Sequence, residues 1–220
     1  MMPILLLTVL AFGSVSGKEG KEGLTYYKAL TVSSAINDIS CFSNLGISFL
    51  IIRGFLQFGR VDPNLKENVR KAYYLNRSPL VYMIPCVKCD MLPDEQVRKV
   101  VAEISGLTYS AIIIKVMLGG GWSSDKGSNC EYIKIMVAEI RKNTSAAIQT
   151  DSAVWNATMG SECIINVGSS YVFGIWEKHD SKDWFSDYVP FAGFRNVTRK
   201  EYAGPVTECG MTVDRVVAYL

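Results

Sequence analysis

The chain has 220 residues, a length that suits one domain of α/β-barrel size and allows a large core. Apolar residues make up 49% of the sequence and charged residues 20%, a balance that excludes an extensively disordered chain. The formal net charge is only +2, and the lysines and arginines are scattered. No binding surface for nucleic acid or for an anionic membrane is therefore predicted.

Residues 1–17 have the pattern of a secretory signal peptide. An apolar stretch, Pro3–Phe12, is followed by small residues and is too short to span a bilayer. No Lys or Arg precedes this stretch, and a buried N-terminal strand is the alternative interpretation. The repeated Lys-Glu-Gly of 18–23 is typical of a solvated lead-in. We expect a signal peptide over 1–17, a polar lead-in over 18–23 and a folded domain over 24–220, in a secreted, extracellular protein.

After Leu24, extended apolar runs alternate with amphipathic runs. The extended runs predict strands at Tyr26–Val32, Ser48–Phe55, Leu80–Ile84, Tyr109–Met117, Ala146–Thr150, Tyr171–Trp176, Phe191–Val197 and Thr212–Leu220. The amphipathic runs predict helices at Ser34–Leu45, Asn64–Leu75, Pro93–Ser105 and Cys130–Lys142. This alternation is typical of a parallel sheet, and about eight strands around one core predict closure. We expect an α/β fold, an irregular single-domain (β/α) barrel of the TIM-barrel type.

Cysteines and glycosylation motifs also favour secretion. The six cysteines form an even number, as suits disulfide pairing in an oxidising compartment. Cys86 and Cys89 are close enough in sequence to predict a small disulfide loop. Sequons for N-glycosylation occur at four asparagines: Asn76, Asn143, Asn156 and Asn196. Asn76 is the poorest acceptor, because a proline directly follows its triplet.

The segment Tyr109–Trp122, YSAIIIKVMLGGGW, marks a possible site. Its β-branched apolar run predicts a strand buried on both faces, and the run ends in Lys115 and Met117 before three glycines. In a (β/α) barrel, the carboxyl ends of the strands carry the chemistry. The strand end at which a barrel enzyme would carry its reactive groups is therefore occupied here by a lysine and a methionine.

Five segments, in order along nearly the whole mature chain, carry a resemblance to a known family: SFLIIRGFLQFGRVD at Ser48–Asp62, MIPCVKC, IQTDSAVW, FSDYVPFAGF, and EYAGPVTECGMTVD at Glu201–Asp214. They resemble the lysozyme-like proteins of glycoside hydrolase family 25, and most of all the nematode branch. The resemblance implies a β/α barrel, secretion, and an ancestor that hydrolysed the glycan of bacterial cell walls.

The resemblance also implies where the catalytic acids should stand. An Asp at the end of the first strand falls on Thr31, and an Asp-x-Glu at the end of the fourth falls on Lys115 and Met117. An Asp on the last strand is retained as Asp214, and a Tyr expected on the fifth is replaced by Gln149. Glycoside hydrolysis needs two carboxyl groups. Methionine has no proton to donate, and a lysine opposes the positive charge of the transition state.

We therefore predict a pseudoenzyme that binds peptidoglycan or another glycan, or acts in innate immune defence, with no intact catalytic residues. One alternative is an active lysozyme that uses an unrecognised carboxylate pair among Glu177, Asp151 and Asp180. Another is a structural or signalling interaction module. The oligomeric state is left open.

The residues of this position have alternative interpretations. Lys115 could contact a ligand or pair with Asp214 or Glu177, but a lysine that reaches solvent from the rim is the favoured interpretation. Met117 is interpreted as core filler. The expected carbohydrate-binding residues are Trp155, Tyr202 and Trp176, because aromatic faces stack on sugars.

No cofactor and no metal site are predicted. His179 is the single histidine of the chain, and the one Cys-x-x-Cys lacks a second, so a four-ligand zinc site is poorly supported. Barrel closure makes the first helix and the last strand neighbours, which suggests disulfides between Cys41 and Cys209 and then between Cys130 and Cys163.

Overall fold

A computed structural model describes residues 26–165, 173–180, 185–195 and 197–219. Nine strands occur among these residues, and they run along the chain as β1 Tyr26–Val32, β2 Ile47–Leu56, β3 Arg60–Val61, β4 Leu80–Met83, β5 Ala111–Lys115, β6 Ser145–Thr150, β7 Phe173–Glu177, β8 Val197–Glu208 and β9 Met211–Tyr219. The predicted signal peptide and lead-in lie outside the described residues.

Five helices occur in the same described ranges. Three of them follow an aspartate whose carboxylate accepts backbone N–H groups of the first turn, Asp38 before α1, Asp125 before α4 and Asp151 before α5. A fourth begins at Pro93, where a missing N–H costs nothing. The helices are α1 Ile39–Asn44, α2 Leu65–Ala72, α3 Pro93–Glu103, α4 Lys126–Ile140 and α5 Ser152–Thr158.

Eight of the strands close into a barrel. The neighbours in order are β1, β2, β4, β5, β6, β7, β8 and β9, and β9 pairs again with β1. The pairings from β1 to β8 are parallel, whereas β9 is antiparallel to both β8 and β1. The predicted (β/α) barrel is confirmed, with one reversed strand that makes the sheet mixed.

The core has two parts because successive residues of a strand point to opposite faces. One face of the strands packs on the helices, as when Val69 of α2, Val100 of α3 and Ile133 of α4 join the same cluster as Val81 and Ile112. The other face fills the barrel interior with a smaller cluster that includes Ala29, Phe49, Ile113, Ala147 and Ile175. The interior is thus a packed layer of side chains rather than a pore.

The predicted elements are present with shifted ends, with one clear error. The predicted strand Phe191–Val197 is wrong, because Ala192 and Gly193 both adopt positive φ and turn the chain so that Phe191 and Phe194 form only an isolated bridge. The strand begins at Val197 instead and continues through Gly204 and Pro205, residues that a sequence pattern treats as breakers.

Two helices also differ from the prediction. The first is shorter than expected, beginning at Ile39 where Asp38 caps it. The helix α5 was not predicted, since its seven residues are too few to show an amphipathic period.

All three expected disulfides are confirmed. Cys86 and Cys89 close a loop after β4, Cys130 of α4 is joined to Cys163, and Cys41 of α1 is joined to Cys209 between β8 and β9. The last bond crosses the seam where the reversed strand completes the barrel. Among the described residues, no helix combines the length and apolar character needed to cross a bilayer.

Candidate functional site

The apolar interior of the barrel is followed, toward the carboxyl ends of the parallel strands, by a layer of polar side chains. The position two residues after an inward apolar residue faces the same interior. That rule places Thr31 after Ala29, and Lys115 after Ile113. The same spacing makes Gln149 of β6 and Glu177 of β7 face the interior. On β9, which runs in the opposite direction, Asp214 has the equivalent position. With Glu201 of β8 and His179, these residues form what we call the mouth cluster: Thr31, Lys115, Gln149, Glu177, His179, Glu201 and Asp214.

Strand register brings these side chains side by side. Lys115 is paired with Gln149, Glu177 with Glu201, and Thr31 with Asp214 in neighbouring strands. The three family positions that the sequence singled out on β1, β5 and β9 are therefore brought to one end of the barrel. Glu201 and His179, which sequence reasoning did not assign to the site, are brought there with them.

Lys115 is held by ion pairs. Its ammonium nitrogen lies 2.9 Å from Oε1 of Glu201 and 3.4 Å from Oε1 of Glu177, and its side chain is only 12% exposed. The interpretation of a lysine that reaches solvent is therefore wrong, and pairing with Glu177 is confirmed. Asp214 acts on the ammonium through space rather than by a direct contact in this arrangement.

Glu201 is, with Gln149, one of the two fully buried members of the cluster. Its side chain is 0% exposed, and its Oε1 lies 2.9 Å from Lys115 and 3.2 Å from Nε2 of His179. Its other oxygen accepts a hydrogen bond of 2.9 Å from the Thr31 hydroxyl. Burying a carboxylate is costly unless it is paired and hydrogen-bonded, and both oxygens of Glu201 meet that condition.

The charges of the cluster are tuned by burial and by one another. Burial alone would raise the pKa of Glu201, but the contacts with His179 and Lys115 outweigh it and lower this pKa to about 2. Burial opposes the charge of Lys115, yet Glu201 and Glu177 raise the pKa of its ammonium above the usual value. Burial raises the pKa of Glu177, against the opposing effect of Lys115. Burial also raises the pKa of Asp214, and the Glu201 charge adds to it.

Met117 does not fill the core as expected. It lies two residues beyond β5 and is partly exposed, and its backbone oxygen accepts a hydrogen bond of 3.1 Å from the Trp122 indole. Val116 still donates its backbone N–H to the Gln149 carbonyl at 2.9 Å, and the chain turns only beyond Met117, where Gly119 and Gly121 adopt positive φ. At the position implied for the family's Glu, this chain therefore presents an unionisable thioether.

Asp214 is packed tightly against the backbone of β8. A Cβ atom added to Gly204 would lie 1.9 Å from Oδ1 of Asp214 and 2.9 Å from its Cβ. Asp214 thus needs a residue without a side chain opposite it. This explains why β8 contains a glycine at this point in its length.

We predict that Gly204→Ala lowers the free energy of unfolding by about 1–3 kcal/mol, as overpacking does. The measurement is equilibrium denaturation followed by fluorescence. Combining it with Asp214→Ala removes the two carboxylate contacts and should recover part of the loss. Gly127→Ala serves as the comparison, because its added Cβ would meet one atom, Oδ1 of Asp125 at 3.2 Å, a contact that a far smaller shift relieves. An unchanged unfolding free energy for Gly204→Ala would contradict the tight packing.

An open groove adjoins the mouth cluster, with a volume of about 530 Å³. Glu177 and His179 form one side of it, and the start of α5 with Asp151 forms another. Val189, which is 74% exposed, and Phe191 add apolar surface. The groove gives a ligand access to the cluster from solvent.

The three predicted carbohydrate-binding aromatics do not lie together, and only one of them lines this groove. Trp155 is 0% exposed and donates from its indole to the Cys163 carbonyl in the core, so its assignment to binding is wrong. Tyr202 lines a separate cavity of about 320 Å³ beside Lys28 and Arg215.

Trp176 does line the groove but is only 8% exposed. Ammonium groups lie near its ring, Lys178 at 4.8 Å and Lys200 at 4.6 Å from the centroid. Tyr188 contacts the same ring edge-on at 5.3 Å. Most of this indole is therefore covered by its neighbours.

A sequence signal existed for His179, one of the two missed residues. It lies two positions after Glu177, the last residue of the apolar strand β7, where a barrel concentrates its chemistry. Glu201 lies within the long β8, amid alternating residues that give no sign of a strand end. Its role depends on the register of β8 against β7, which the sequence pattern does not contain.

The sequons occupy surface positions where the structure describes them. Asn76, Asn143 and Asn156 are all exposed, the last on helix α5. Asn196 lies outside the described residues.

Comparison with known proteins shows which family the chain resembles. The family model described as Lysozyme-like protein 1 matches residues 22–202. The chain is 26% identical to "Probable GH family 25 lysozyme 4" of Dictyostelium discoideum, covering 96% of this chain and 95% of that protein. It is also 26% identical to "Lysozyme-like protein 5" of Caenorhabditis elegans, over 97% and 98% of the two chains.

Among solved structures, the bacterial lysozyme of Streptomyces coelicolor matches with a TM-score of 0.67 at 18% identity, covering 86% of this chain and 90% of the other. This likeness shows the shared barrel fold. Since the family model covers most of the sequence, the chain belongs to the lysozyme-like proteins of glycoside hydrolase family 25.

Proposed function

We propose that this chain is a secreted lysozyme-like protein that has lost muramidase activity and binds bacterial cell-wall peptidoglycan in innate defence. The observation that carries the proposal is the ion-paired Lys115, at the strand end where the family resemblance implies an acid. A fixed ammonium there opposes the oxocarbenium-like charge of glycoside hydrolysis. Met117, at the position implied for the second acid of this strand, has no proton to give.

The remaining carboxylates do not readily replace the lost pair. Two carboxyl groups must flank the scissile bond and contact the sugar or its attacking water. Glu201 is 0% exposed and holds Lys115, so it has no surface with which to touch a glycan. Asp180 is engaged by Lys200 at 2.9 Å, and Asp151 caps α5. Glu177 and Asp151 both line the groove next to the cluster, but the Asp151 carboxylate is occupied by the Val154 N–H at the start of α5.

The groove beside the mouth cluster supports retained binding. It is open, and it combines acidic residues with the exposed apolar side chain of Val189. Such a mixture suits a sugar, which has apolar faces and a polar rim. The names of the relatives, which are lysozymes and lysozyme-like proteins, support a glycan of the bacterial wall as the ligand.

Secretion rests on the signal-like N-terminus and on disulfide pairing. All six cysteines form intramolecular disulfides, as suits an oxidising compartment. The exposed sequons at Asn143 and Asn156 are the expected glycosylation sites, because an acceptor asparagine must be accessible.

The test combines a turbidity assay with sedimentation of the purified protein on insoluble bacterial cell walls. We expect co-sedimentation without clearing of the wall suspension. Val189→Asp places a charge in the groove and should weaken sedimentation more than about tenfold, a change of about 1.4 kcal/mol. Tyr74→Asp is the matched control, since Tyr74 is 77% and Val189 74% exposed and Tyr74 does not line the groove.

Each outcome separates one class of function from the others. Wall clearing that is lost in Glu177→Gln would overturn the loss of muramidase activity. Sedimentation that Val189→Asp leaves unchanged would remove the groove from the proposal. The absence of both clearing and sedimentation would overturn wall binding and would favour a structural or signalling module.

A further inference from the structure

We propose that Glu177, His179 and Glu201 form a binding site for one divalent transition-metal ion of the zinc class, in competition with the Lys115 ammonium. The inference is independent of wall binding, and it departs from the sequence analysis, which predicts no metal. Glu177 and His179 come from the end of β7, Glu201 comes from the neighbouring strand β8, and each residue offers one ligand atom. They combine two carboxylates with the single imidazole of the chain.

The spacing of the ligand atoms suits a small cation. The candidate atoms all lie within 4.8 Å of one another, and Nε2 of His179 is 3.2 Å from Oε1 of Glu201. Bonds of about 2.0 Å in a tetrahedral zinc site place neighbouring ligand atoms roughly 3.3 Å apart. Only a small inward movement of Glu177 is then needed to complete a three-ligand site.

Both carboxylates are held so that one oxygen faces the centre of the site. Oε2 of Glu201 accepts a hydrogen bond of 2.9 Å from Thr31, which leaves Oε1 toward Lys115 and His179. Oε2 of Glu177 lies 3.4 Å from the Gln149 amide nitrogen, which leaves its Oε1 toward the same point. Outer hydrogen bonds of this kind orient the ligands of protein metal sites.

Gln149 gives a second, independent indication of a ligand. Its side chain is fully buried, yet its Oε1 has no hydrogen-bond partner within the described part of the chain. The same amide group contacts Glu177, so the unsatisfied oxygen belongs to the wall of the site. A buried amide oxygen without a partner is costly. A metal ion or a metal-bound water would satisfy it.

Lys115 marks the point where the cation would lie. Its ammonium is within 2.9 Å of one inward carboxylate oxygen and 3.4 Å of the other. A dication at this point satisfies the same oxygens with twice the charge and adds a bond to His179. The Lys115 side chain is 12% exposed, and its ammonium would leave this point when the ion binds.

The donor set and access point to the class of metal. An imidazole with two carboxylates suits zinc and neighbouring transition metals, whereas Mg²⁺ and Ca²⁺ favour oxygen donors alone. Glu177 and His179 both line the open groove, which provides a route for the ion and room for water or a ligand at the remaining position.

The test is calorimetric titration of the untagged, disulfide-bonded protein with ZnCl₂ in a non-chelating buffer, repeated with MgCl₂. We expect one equivalent of Zn²⁺ to bind and the titration with MgCl₂ to show no binding. His179→Gln should weaken Zn²⁺ binding by at least about tenfold, and Lys115→Met should strengthen it by about tenfold or more, because the competing charge is removed.

The controls keep the result specific. Glu131→Gln, on the outer side of α4 with a side chain 65% exposed, should leave Zn²⁺ binding unchanged. His179 is itself 37% exposed, so its substitution should not disturb the fold. The proposal is overturned if neither the native protein nor Lys115→Met binds Zn²⁺, or if binding survives His179→Gln at full strength.

Discussion

Glu201→Gln is expected to lower the free energy of unfolding by about 3 kcal/mol, because it strips a buried ammonium of its nearest counter-charge. Lys115 would keep Glu177, but at 3.4 Å rather than the 2.9 Å that separates it from Glu201. The Gln side chain preserves shape and can still accept from Thr31. The measurement is chemical denaturation of the native and variant proteins under identical salt.

A matched control lies on the same strand. Glu208 of β8 pairs with Arg215, whose side chain is 45% exposed, so Glu208→Gln should cost at most about 1 kcal/mol. The double variant Glu201→Gln with Lys115→Met should recover most of the loss, since it removes both buried charges. A loss below about 1 kcal/mol for Glu201→Gln would mean that Lys115 does not depend on this carboxylate.

The second large effect is expected from the disulfide between Cys41 and Cys209. It joins residues 168 apart in sequence, so opening it frees almost the whole barrel in the unfolded chain. Loop-closure entropy for a loop of this size corresponds to about 5 kcal/mol. We expect Cys41→Ser with Cys209→Ser to reduce the unfolding free energy by about that amount and to lower the melting temperature clearly.

The Cys86–Cys89 pair provides the comparison. Its residues are separated by 3 positions, and the same entropy relation gives only about 2 kcal/mol for so short a loop. Calorimetry of the two double-serine variants, without reductant, measures the difference. Equal losses in both variants would contradict the role of the long bond in constraining the closure of the barrel.

Sequence patterns sufficed for the barrel because its strands are buried on both faces. Runs such as that of β5 are apolar along most of their length, and such a run predicts a buried strand without knowledge of its neighbouring strands. The reversed strand β9 was located but its direction was not, since an apolar run reads the same way in either direction. The partner of Cys41 followed from barrel closure rather than from any local feature.

The site was only partly predictable. The ends of β1 and β5 carry Thr31 and Lys115 at positions that the family resemblance identifies. The pairing of Lys115 with Glu201, however, joins residues on strands that meet only through the barrel interior, 86 positions apart. Burial could not be judged from residue type either, which is why Trp155 was placed in a groove although it lies wholly in the core.

The ion pairs of Lys115 also bear on how such a barrel can evolve. Lys115→Asp alone would set a further carboxylate beside Glu177 and Glu201 with no cation between them, and like charges at this depth repel strongly. Changing Glu201 first would leave the lysine buried without its main partner. Either first step costs stability, so we expect the two positions to constrain each other's replacement, and an acidic residue at position 115 to require a paired change at position 201. The salt bridge thus couples the substitutions that two distant strands can accept.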